Sequence, residues 1–292
     1  MVTKGNIDLY DDKAYKAKLV QTLQAFTRFC EANGLAYMAC AGTCIGAVRH
    51  HGFIPWDDDI DVFMSRADFE RLVSLKNKLP EGYSLVQEGE TGYYAPIPKF
   101  YDNRTTLWEE KSLPAVIGAY IDIFPLDECD DDADYCKRLK KEYEYCYLHH
   151  MDSRRKWLFE DFVDMALHLH PMGFIRLLKN TFYHAPKAAY YKKRLDGIRK
   201  KMQEMKGSYV IPWDGLYATP YPKRLFEKTV PCDFEGLTIQ IPAMYDEYLT
   251  QTYGNYMQLP PVEKRKSTHS HFYLDLDRGM TLDEVRKMIR MK

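Results

Sequence analysis

The chain lacks an excess of charge of either sign. Its 292 residues include 41 lysines and arginines and 42 aspartates and glutamates, which gives a formal net charge of -1. A protein this close to neutrality has no overall attraction to nucleic acid or to an anionic membrane, so any such partner must be bound by a local patch. We therefore expect no nucleic-acid partner.

The sequence also lacks a long apolar run. Its richest apolar stretches, such as 174–178, are short and flanked by charge, whereas a membrane-spanning helix needs roughly 20 apolar residues. The segment Met1–Asp12 is polar and charged, without the apolar core and cleavage site of a secretory signal. These absences predict a cytoplasmic protein without a spanning helix.

No Cys-x-x-Cys pair occurs among the seven cysteines, and their number is odd. Disulfide frameworks usually contain an even number of cysteines, and zinc ribbons use Cys-x-x-Cys pairs, so we predict reduced thiols. No internal repeat or low-complexity linker divides the chain. Its hydrophobic content of 46% and aromatic content of 14% are sufficient for a substantial buried core.

Helix and strand patterns alternate in the first part of the chain, which predicts a mixed α/β domain. Apolar residues recur at helical spacing over Ala14–Ala32, and Ser65 with Asp68 resembles a capping box for a helix that runs to Leu79. Residues 130–206 are helical in pattern and rich in lysine and arginine. Short apolar runs predict strands at 35–41, 59–64, 84–87, 97–101, 120–124 and 237–241.

The sequence Trp56-Asp57-Asp58-Asp59-Ile60-Asp61-Val62 is the most informative heptapeptide. In an extended chain Asp57, Asp59 and Asp61 share one side. An acidic run is usually a solvated surface, but this one lies within apolar sequence, as an active-site strand does. Three carboxylates on one face repel one another, and a hard divalent cation such as Mg²⁺ or Mn²⁺ relieves that repulsion while leaving positions for phosphate.

Two further segments complete the predicted site. Gly42-Thr43 follows a short apolar strand and opens a helix, where backbone N–H groups and a hydroxyl can bind a phosphate. Asp122 is the single acid of another apolar strand, and an unpaired buried carboxylate is costly. A metal shared with Asp59 and Asp61 would give Asp122 a partner.

The segment AGTCIGAVRHHGFIPWDDDIDV at 41–62 resembles the signature of the LicD/fukutin family of phosphotransferases. The segments IDIFPLD at 121–127 and YGNYMQLPPVEKRKSTHSH at 253–271 resemble two further blocks of that family. The resemblance implies a polymerase-beta-like nucleotidyltransferase core with a mixed sheet, an α/β (α+β) fold, carrying a helical insertion and a C-terminal substrate-binding region. We place the core at 1–129, the helical basic region at 130–208 and the completing region at 209–292.

The resemblance also implies a site and a reaction. Gly42 and Thr43 match the family's turn, Asp59 and Asp61 its paired metal ligands, Asp57 an additional acid and Asp122 the third carboxylate. Members of the family transfer a phosphorylated alcohol from a CDP-linked donor to a sugar hydroxyl and release CMP. The expected donors are CDP-choline, CDP-ribitol or CDP-glycerol, with phosphocholine preferred, and the expected acceptor is a glycan that can be lipid-linked. Mg²⁺ or Mn²⁺ is the expected cofactor, with Asp59, Asp61 and Asp122 as catalytic residues.

Other residues are candidates for substrate binding. Arg49, Lys99 and Arg104 can complement the charge of a diphosphate, while His269 and His271 lie in the C-terminal block. The basic helical region can attract a lipid-linked glycan at an anionic membrane surface, which allows peripheral membrane contact. Four aromatic residues can stack on sugar rings or bind a choline ammonium, or belong to the core: Tyr209, Trp213, Tyr217 and Tyr221.

Two other functions stay open on the sequence alone. The same acids serve a true nucleotidyltransferase, which attaches a nucleotide to a sugar, protein or RNA acceptor. A glycan-binding homologue without catalytic activity is the third reading, although every expected acid is present. The transferase and the nucleotidyltransferase differ in which phosphorus atom is attacked, so their products distinguish them.

Overall fold

The computed structural model describes residues 12–90, 92–93, 95–157, 162–163, 171–215, 219–267, 269 and 271–290. The expectations made above for Met1–Asp12, apart from Asp12 itself, and for Tyr217 lie outside these ranges.

A mixed sheet forms the centre of the fold, as the sequence predicts. Its main path has the order β1-β2-β5-β4-β10. Beside this path, β3 pairs with β4, β6 pairs with β5, and β7 pairs with β6. The pair β2 and β5 is parallel, and the other described pairs are antiparallel. The strands are β1 Met38–Ala39, β2 Asp61–Ser65, β3 Tyr83–Val86, β4 Lys99–Trp108, β5 Ile117–Cys129, β6 Tyr209–Pro212, β7 Tyr221–Pro222, the separate hairpin of β8 Thr229–Phe234 and β9 Leu237–Pro242, and β10 Tyr273–Asp275.

Helices cover the sheet and extend the fold beyond it. No helix in the described part of the chain combines the length and apolar character needed to cross a membrane. The helices are α1 Asp12–Ala32, α2 Ala41–His50, α3 Arg66–Ser74, α4 Ala133–Arg154, α5 Pro171–Lys179, α6 Ala188–Glu204, α7 Tyr245–Tyr253 and α8 Leu282–Arg290.

The structure confirms the predicted start of α3 but not its predicted end. The Ser65 hydroxyl accepts a hydrogen bond from the Asp68 N–H, 3.1 Å between the two heavy atoms, so the predicted cap of α3 is confirmed. The helix nevertheless ends at Ser74 and a short 3₁₀ turn, Lys76–Lys78, follows it. The prediction of one continuous helix to Leu79 is therefore wrong. The sequence reading also missed β6, β7, β8 and β10.

The register of the central strands follows from their apolar residues. Ile60, Val62 and Ile121 are fully buried in the main core between the sheet and α1. Apolar neighbours fix the register of a strand, because a slip of one residue would turn these side chains to the opposite face. That register places Asp61 of β2 opposite Asp122 of β5.

The first and the last of the three regions predicted from the sequence share one sheet. Strand β6, from the last region, pairs with the end of β5, and β10 pairs with β4. The helices α4 and α6 pack together over a second core that contains Trp213, Tyr143 and Leu195. Trp213 is therefore a core residue, one of the two roles that the sequence left open for it.

One cysteine pair departs from the expected reduced state. Cys129 at the end of β5 and Cys136 in the first turn of α4 are disulfide-bonded, with 6.4 Å between their Cα atoms. The prediction that all cysteines are reduced thiols is wrong for this pair. The two cysteines are seven positions apart, and the turn between β5 and α4 brings them together. The number and spacing of cysteines in the sequence do not reveal this turn.

Candidate active site

Four aspartates lie close together at the beginning of β2. Asp61 is the first residue of β2 and faces Asp122 on the parallel neighbour β5. Asp57 and Asp59 precede it in the loop after α2, and their side chains are hydrogen-bonded to each other. Asp61 and Asp122 are each only 8% exposed. The structure thus brings together all four acids that the sequence singles out, in a largely buried place.

The concentration of negative charge shifts the protonation of these acids. Burial, followed by repulsion from Asp59, raises the pKa of Asp57 to about 8. Burial and then repulsion from Asp59 and Asp122 raise the pKa of Asp61 well above its ordinary value. Burial raises the pKa of Asp122 to about 6 although Lys99 opposes the shift. Ionisation of one of these carboxyls raises the free energy of ionising the others, so a bound cation would favour the fully ionised state.

The first turn of α2 supports the acids from one side. The Asp61 N–H donates to the Thr43 hydroxyl at 2.9 Å, so that buried hydroxyl positions the start of β2. A Cβ atom at Gly42 would lie 2.2 Å from Asp57 Oδ2, so any other residue at this position would have to displace the Asp57 carboxylate. The N–H groups of a first helical turn lack acceptors within the helix and suit a phosphate oxygen. The turn therefore combines a structural contact with a surface suited to an anion.

Lys99 is part of this site rather than a surface cation. It pairs with Asp122 across the antiparallel β4 and β5, and the two side chains form an ion pair of 2.5 Å between Nζ and Oδ1. The Lys99 ammonium also lies 3.3 Å from the centroid of the Tyr120 ring. Both members of the ion pair are buried. Lys99 therefore places a buried positive charge directly against Asp122.

Asp58 holds the C-terminal block against the acid cluster. One of its oxygens accepts a hydrogen bond from the Ser267 hydroxyl and contacts His269 Nδ1, both at 2.8 Å. The other ring nitrogen of His269 lies 3.5 Å from Asp59 Oδ2. The bond with Asp58, assisted by the charge of Asp59, raises the pKa of His269 to about 9. His269 is thus a cation placed between two aspartates.

The sequence reading missed Asp58 and Ser267 as site residues. The alternation of an extended chain placed Asp58 on the face opposite Asp57 and Asp59, and its side chain indeed has other partners. The Ser267 hydroxyl receives the His269 N–H at 3.1 Å, which shapes the local loop. The sequence offered one signal for these two residues, namely that the segment 253–271 resembles a block of the same family as the acid motif. It did not indicate that the two segments contact each other through Asp58.

His271 and Arg49 contact other parts of the chain. The His271 ring packs edge-on against Tyr15 of α1, 4.9 Å between ring centroids, and burial lowers its pKa. The Arg49 guanidinium donates to the Tyr256 carbonyl and, at 2.9 Å, to the neighbouring His50 ring. These contacts tie α1 and α2 to the C-terminal region. A direct role in substrate binding stays a prediction for both residues.

Arg104 lies further from the acids than Lys99 on the same strand. Its guanidinium donates twice to the Asp102 carboxylate at 2.8 Å and lies 4.9 Å from the centroid of the Tyr83 ring. Five residues of strand separate it from Lys99, a distance of roughly 16 Å. Asp102 is fully buried and takes the charge of Arg104. Arg104 therefore pairs with an acid of its own strand and packs on a tyrosine of β3.

An aromatic cavity of about 420 Å³ adjoins Asp61. Tyr221 and Tyr248 form buried parts of its wall, while Tyr253 is half-exposed. A larger cavity of about 570 Å³ lies near the other end of β2, beside Ser65, and none of the four acids lines it. Of these two cavities, the smaller one is therefore next to the cluster of aspartates. Its lining is Cys40, Ala41, Asp61, Phe63, Phe124, Pro212, Gly215, Tyr221, Tyr248, Thr252 and Tyr253.

The chemistry of the donor set suits a hard cation. Carboxylate oxygen is the ligand that Mg²⁺ and Mn²⁺ prefer, and Asp57, Asp59, Asp61 and Asp122 offer it without any sulfur or neutral imidazole among them. Burial, and after it the negative charge of neighbouring acids, raises the pKa values of Asp57, Asp61 and Asp122, and a cation would neutralise that charge. Lys99 neutralises part of that charge through Asp122. The residues present therefore fit such an ion.

A tighter grouping of ligand atoms occurs elsewhere in the described residues. Atoms of His149, Asp152 and His184 lie within 4.8 Å of one another, a spacing that the four aspartates do not reach. The two imidazole rings are stacked, with centroids 4.6 Å apart and planes inclined by 20°. Ring nitrogens bind metals in the plane of the ring, so nearly parallel rings cannot converge on one ion. Asp152 also accepts a bond from Arg155 at 2.9 Å, and we assign no metal to this grouping.

Comparisons with known proteins identify the family of this chain. The family model described as LicD/FKTN/FKRP, nucleotidyltransferase domain, matches residues 34–160, which contain all four acids. The lipopolysaccharide cholinephosphotransferase LicD of Haemophilus influenzae is 32% identical over 254 residues, which cover 85% of this chain and 91% of that protein. An uncharacterized protein of Rickettsia prowazekii is 34% identical over 74 residues, 24% of this chain and 27% of its own. The chain belongs to the LicD family.

Proposed function

We propose that this protein transfers phosphocholine from CDP-choline to a sugar hydroxyl of a cell-surface glycan precursor and releases CMP. The observation that carries the proposal is the convergence of Asp57, Asp59, Asp61 and Asp122 in a protein that is similar to a lipopolysaccharide cholinephosphotransferase over 85% of its length. The proposal includes Mg²⁺ or Mn²⁺ as cofactor. The cytoplasmic location expected from the sequence remains part of it.

The acids and the α2 turn have distinct roles in this proposal. Asp59 and Asp61 would hold the cation, and Asp57 and Asp122 would supply the other carboxylates of the site. A bound divalent ion would neutralise charge on the transferring phosphate and acidify the acceptor hydroxyl. The N–H groups around Gly42 orient the donor phosphates. Asp122 would accept the proton of the acceptor hydroxyl. Lys99 keeps the pKa of Asp122 lower than burial alone would, so that more of this carboxyl is ionised and able to take up a proton.

The aromatic cavity beside Asp61 is the proposed site of the donor. Three tyrosines line it, and aromatic faces attract quaternary ammonium groups through cation–π interaction. Asp61 in the same lining connects this cavity to the acid cluster. A choline headgroup bound by Tyr221, Tyr248 and Tyr253 would therefore have its phosphate directed towards the acids.

A product assay with the purified chain tests the proposal. CDP-choline, Mg²⁺ and a glycan acceptor should yield free CMP and phosphocholine on the acceptor. Asp61→Asn and Asp59→Asn should each abolish turnover without a loss of fold. Asp196→Asn is the control, because Asp196 is exposed and pairs with Lys192 on α6. Retained turnover in both site variants would refute the assigned roles.

The same assay separates the two other readings of the site. A nucleotidyltransferase would leave the nucleotide on the acceptor instead of releasing CMP. A glycan-binding homologue would bind the acceptor and turn over no donor under any metal condition. Parallel reactions with CDP-ribitol and CDP-glycerol identify the alcohol. If the protein prefers one of these donors to CDP-choline, the transferred group is the phosphate of that alcohol and not phosphocholine.

A further inference from the structure

Helix α5 presents an apolar face to solvent. Its one buried residue is Leu177, and the turn that follows buries the polar side chains of Asn180 and His184. The exposed fractions of Phe174, Ile175 and Leu178 are 40%, 56% and 37%. The segment formed by α5 and this turn thus buries Leu177 and two polar side chains and leaves its other large apolar side chains exposed, whereas an ordinary surface helix turns its apolar residues inward.

The exposed apolar residues share one side of the helix. Phe174, Ile175 and Leu178 are spaced by three and four residues, which brings their side chains together on the helix surface. Met172 and Phe182, both 75% exposed, flank this set in sequence. Single exposed apolar residues are ordinary, but a group of this size marks an interaction surface. We call these five residues the apolar face of α5, although Phe182 lies in the turn that follows the helix.

Basic residues surround the apolar face. Residues 171–206 include ten lysines and arginines and two acids, in a chain whose formal net charge is -1. Arg176 and Lys179 of α5 are exposed, as are Lys187 and Lys193 near and on α6. Asp196 pairs with Lys192, so one of the two acids is already matched within the segment. Acids outside the segment pair with four of its cations, namely Arg176, Arg194, Arg199 and Lys206. Among the described contacts, the local positive charge beside the apolar side chains is therefore that of Lys179, Lys187 and Lys193.

We propose that the apolar face of α5 and its basic surround dock the protein on an anionic lipid bilayer. An amphipathic helix with large apolar side chains and flanking lysines lies in the plane of a membrane interface, with its apolar face among the acyl chains. The lysines and arginines then contact anionic headgroups. The charge complementarity favours lipid over a second copy of this chain, whose α5 would bring the same positive charges together.

Vesicle co-sedimentation of the full-length chain tests this docking. The chain should bind vesicles of phosphatidylcholine mixed with phosphatidylglycerol, and bind phosphatidylcholine alone far more weakly. Ile175→Glu should weaken binding to the mixed vesicles about tenfold, since it places a charge in the face that enters the acyl region. Lys179→Gln should weaken it about fivefold and reduce its salt dependence.

Val262→Glu is the matched control, because Val262 is 73% exposed on a different part of the protein. It makes the same change of an exposed apolar residue to glutamate, and vesicle binding should persist. Equal binding by Ile175→Glu and the unmodified chain would overturn the proposal. So would a chain that ignores anionic vesicles and instead forms a dimer that Ile175→Glu dissociates, because a second copy would then be the occupant.

Discussion

Lys99 and Asp122 form a buried ion pair of 2.5 Å across β4 and β5, within the cluster of acids. The pair is built into the sheet, because the two residues are direct cross-strand partners. Lys99 lowers the pKa of Asp122 and also that of Asp61, in opposition to burial. A fixed ammonium therefore shares this site with the proposed divalent cation.

Lys99→Met should destabilise the metal-free protein by about 3 kcal/mol at pH 8, because the substitution leaves a buried carboxyl without its charge partner. Chemical denaturation measures the free energy of unfolding. Lys76→Met is the control, since Lys76 pairs with Glu90 with about a third of each side chain exposed, and should cost about 1 kcal/mol or less. Equal losses in the two variants would show that the Lys99 pair adds nothing beyond an ordinary surface ion pair.

The stability of the metal-free protein should fall as the pH rises from about 4 to about 8. Asp57 has a pKa of about 8 in the folded protein against an ordinary value of 3.8. Between these values the unfolded chain has lost a proton that the folded chain retains, so the free energy of unfolding decreases with pH. Asp61 and Asp122 act in the same direction, because their pKa values are also raised.

Melting temperatures across this pH range, with and without Mg²⁺, check the effect. Mg²⁺ should raise the melting temperature by several degrees at pH 8 and by little at pH 5, since protons and the cation compete for the same oxygens. Asp57→Asn removes one of the titrating groups and should flatten the metal-free profile. A profile that is equally steep in Asp57→Asn would mean that other groups cause the pH dependence.

The acid motif was predictable because its signal is local. Alternation along one extended segment placed Asp57, Asp59 and Asp61 on one side, and apolar flanks indicated burial. The cap of α3 was predictable for the same reason. For Asp122 the sequence led us to expect a shared metal as partner, because a buried acid needs one, whereas in the structure its carboxylate pairs with Lys99.

The contacts between distant segments were not predictable from such signals. The bond between Asp58 and His269 joins residues 211 positions apart, and the approach of the C-terminal block depends on β10 pairing with β4. β10 has three residues, too few for a period-two pattern to be recognised. Lys99 in turn is drawn into the site by strand register, which the sequence of β4 alone does not specify.

Asp58→Asn should lower the pKa of His269 from about 9 towards 6.5, because the bond with Asp58 is the largest cause of the shift. An NMR titration of the histidine ring in the metal-free protein measures the change. Turnover should fall about tenfold, the usual effect of removing a residue that orients another group at a metal site. Ser267→Ala is the control, since it removes the other bond to Asp58 and leaves the charge beside His269. A larger pKa change in Ser267→Ala would contradict this assignment.

Gly42→Ala should impair the site through a single methyl group. The added Cβ would lie 2.2 Å from Asp57 Oδ2, so the carboxyl must move away from Asp59 and its neighbours. A displacement of this size should lower turnover about a hundredfold and reduce the stabilisation by Mg²⁺. Gly197→Ala in α6 meets no heavy atom within 4 Å and should instead stabilise the protein by about 0.5–1 kcal/mol, as alanine does within a helix. Full turnover in Gly42→Ala would show that Asp57 tolerates displacement, and the cation would then be held by Asp59, Asp61 and Asp122 without it.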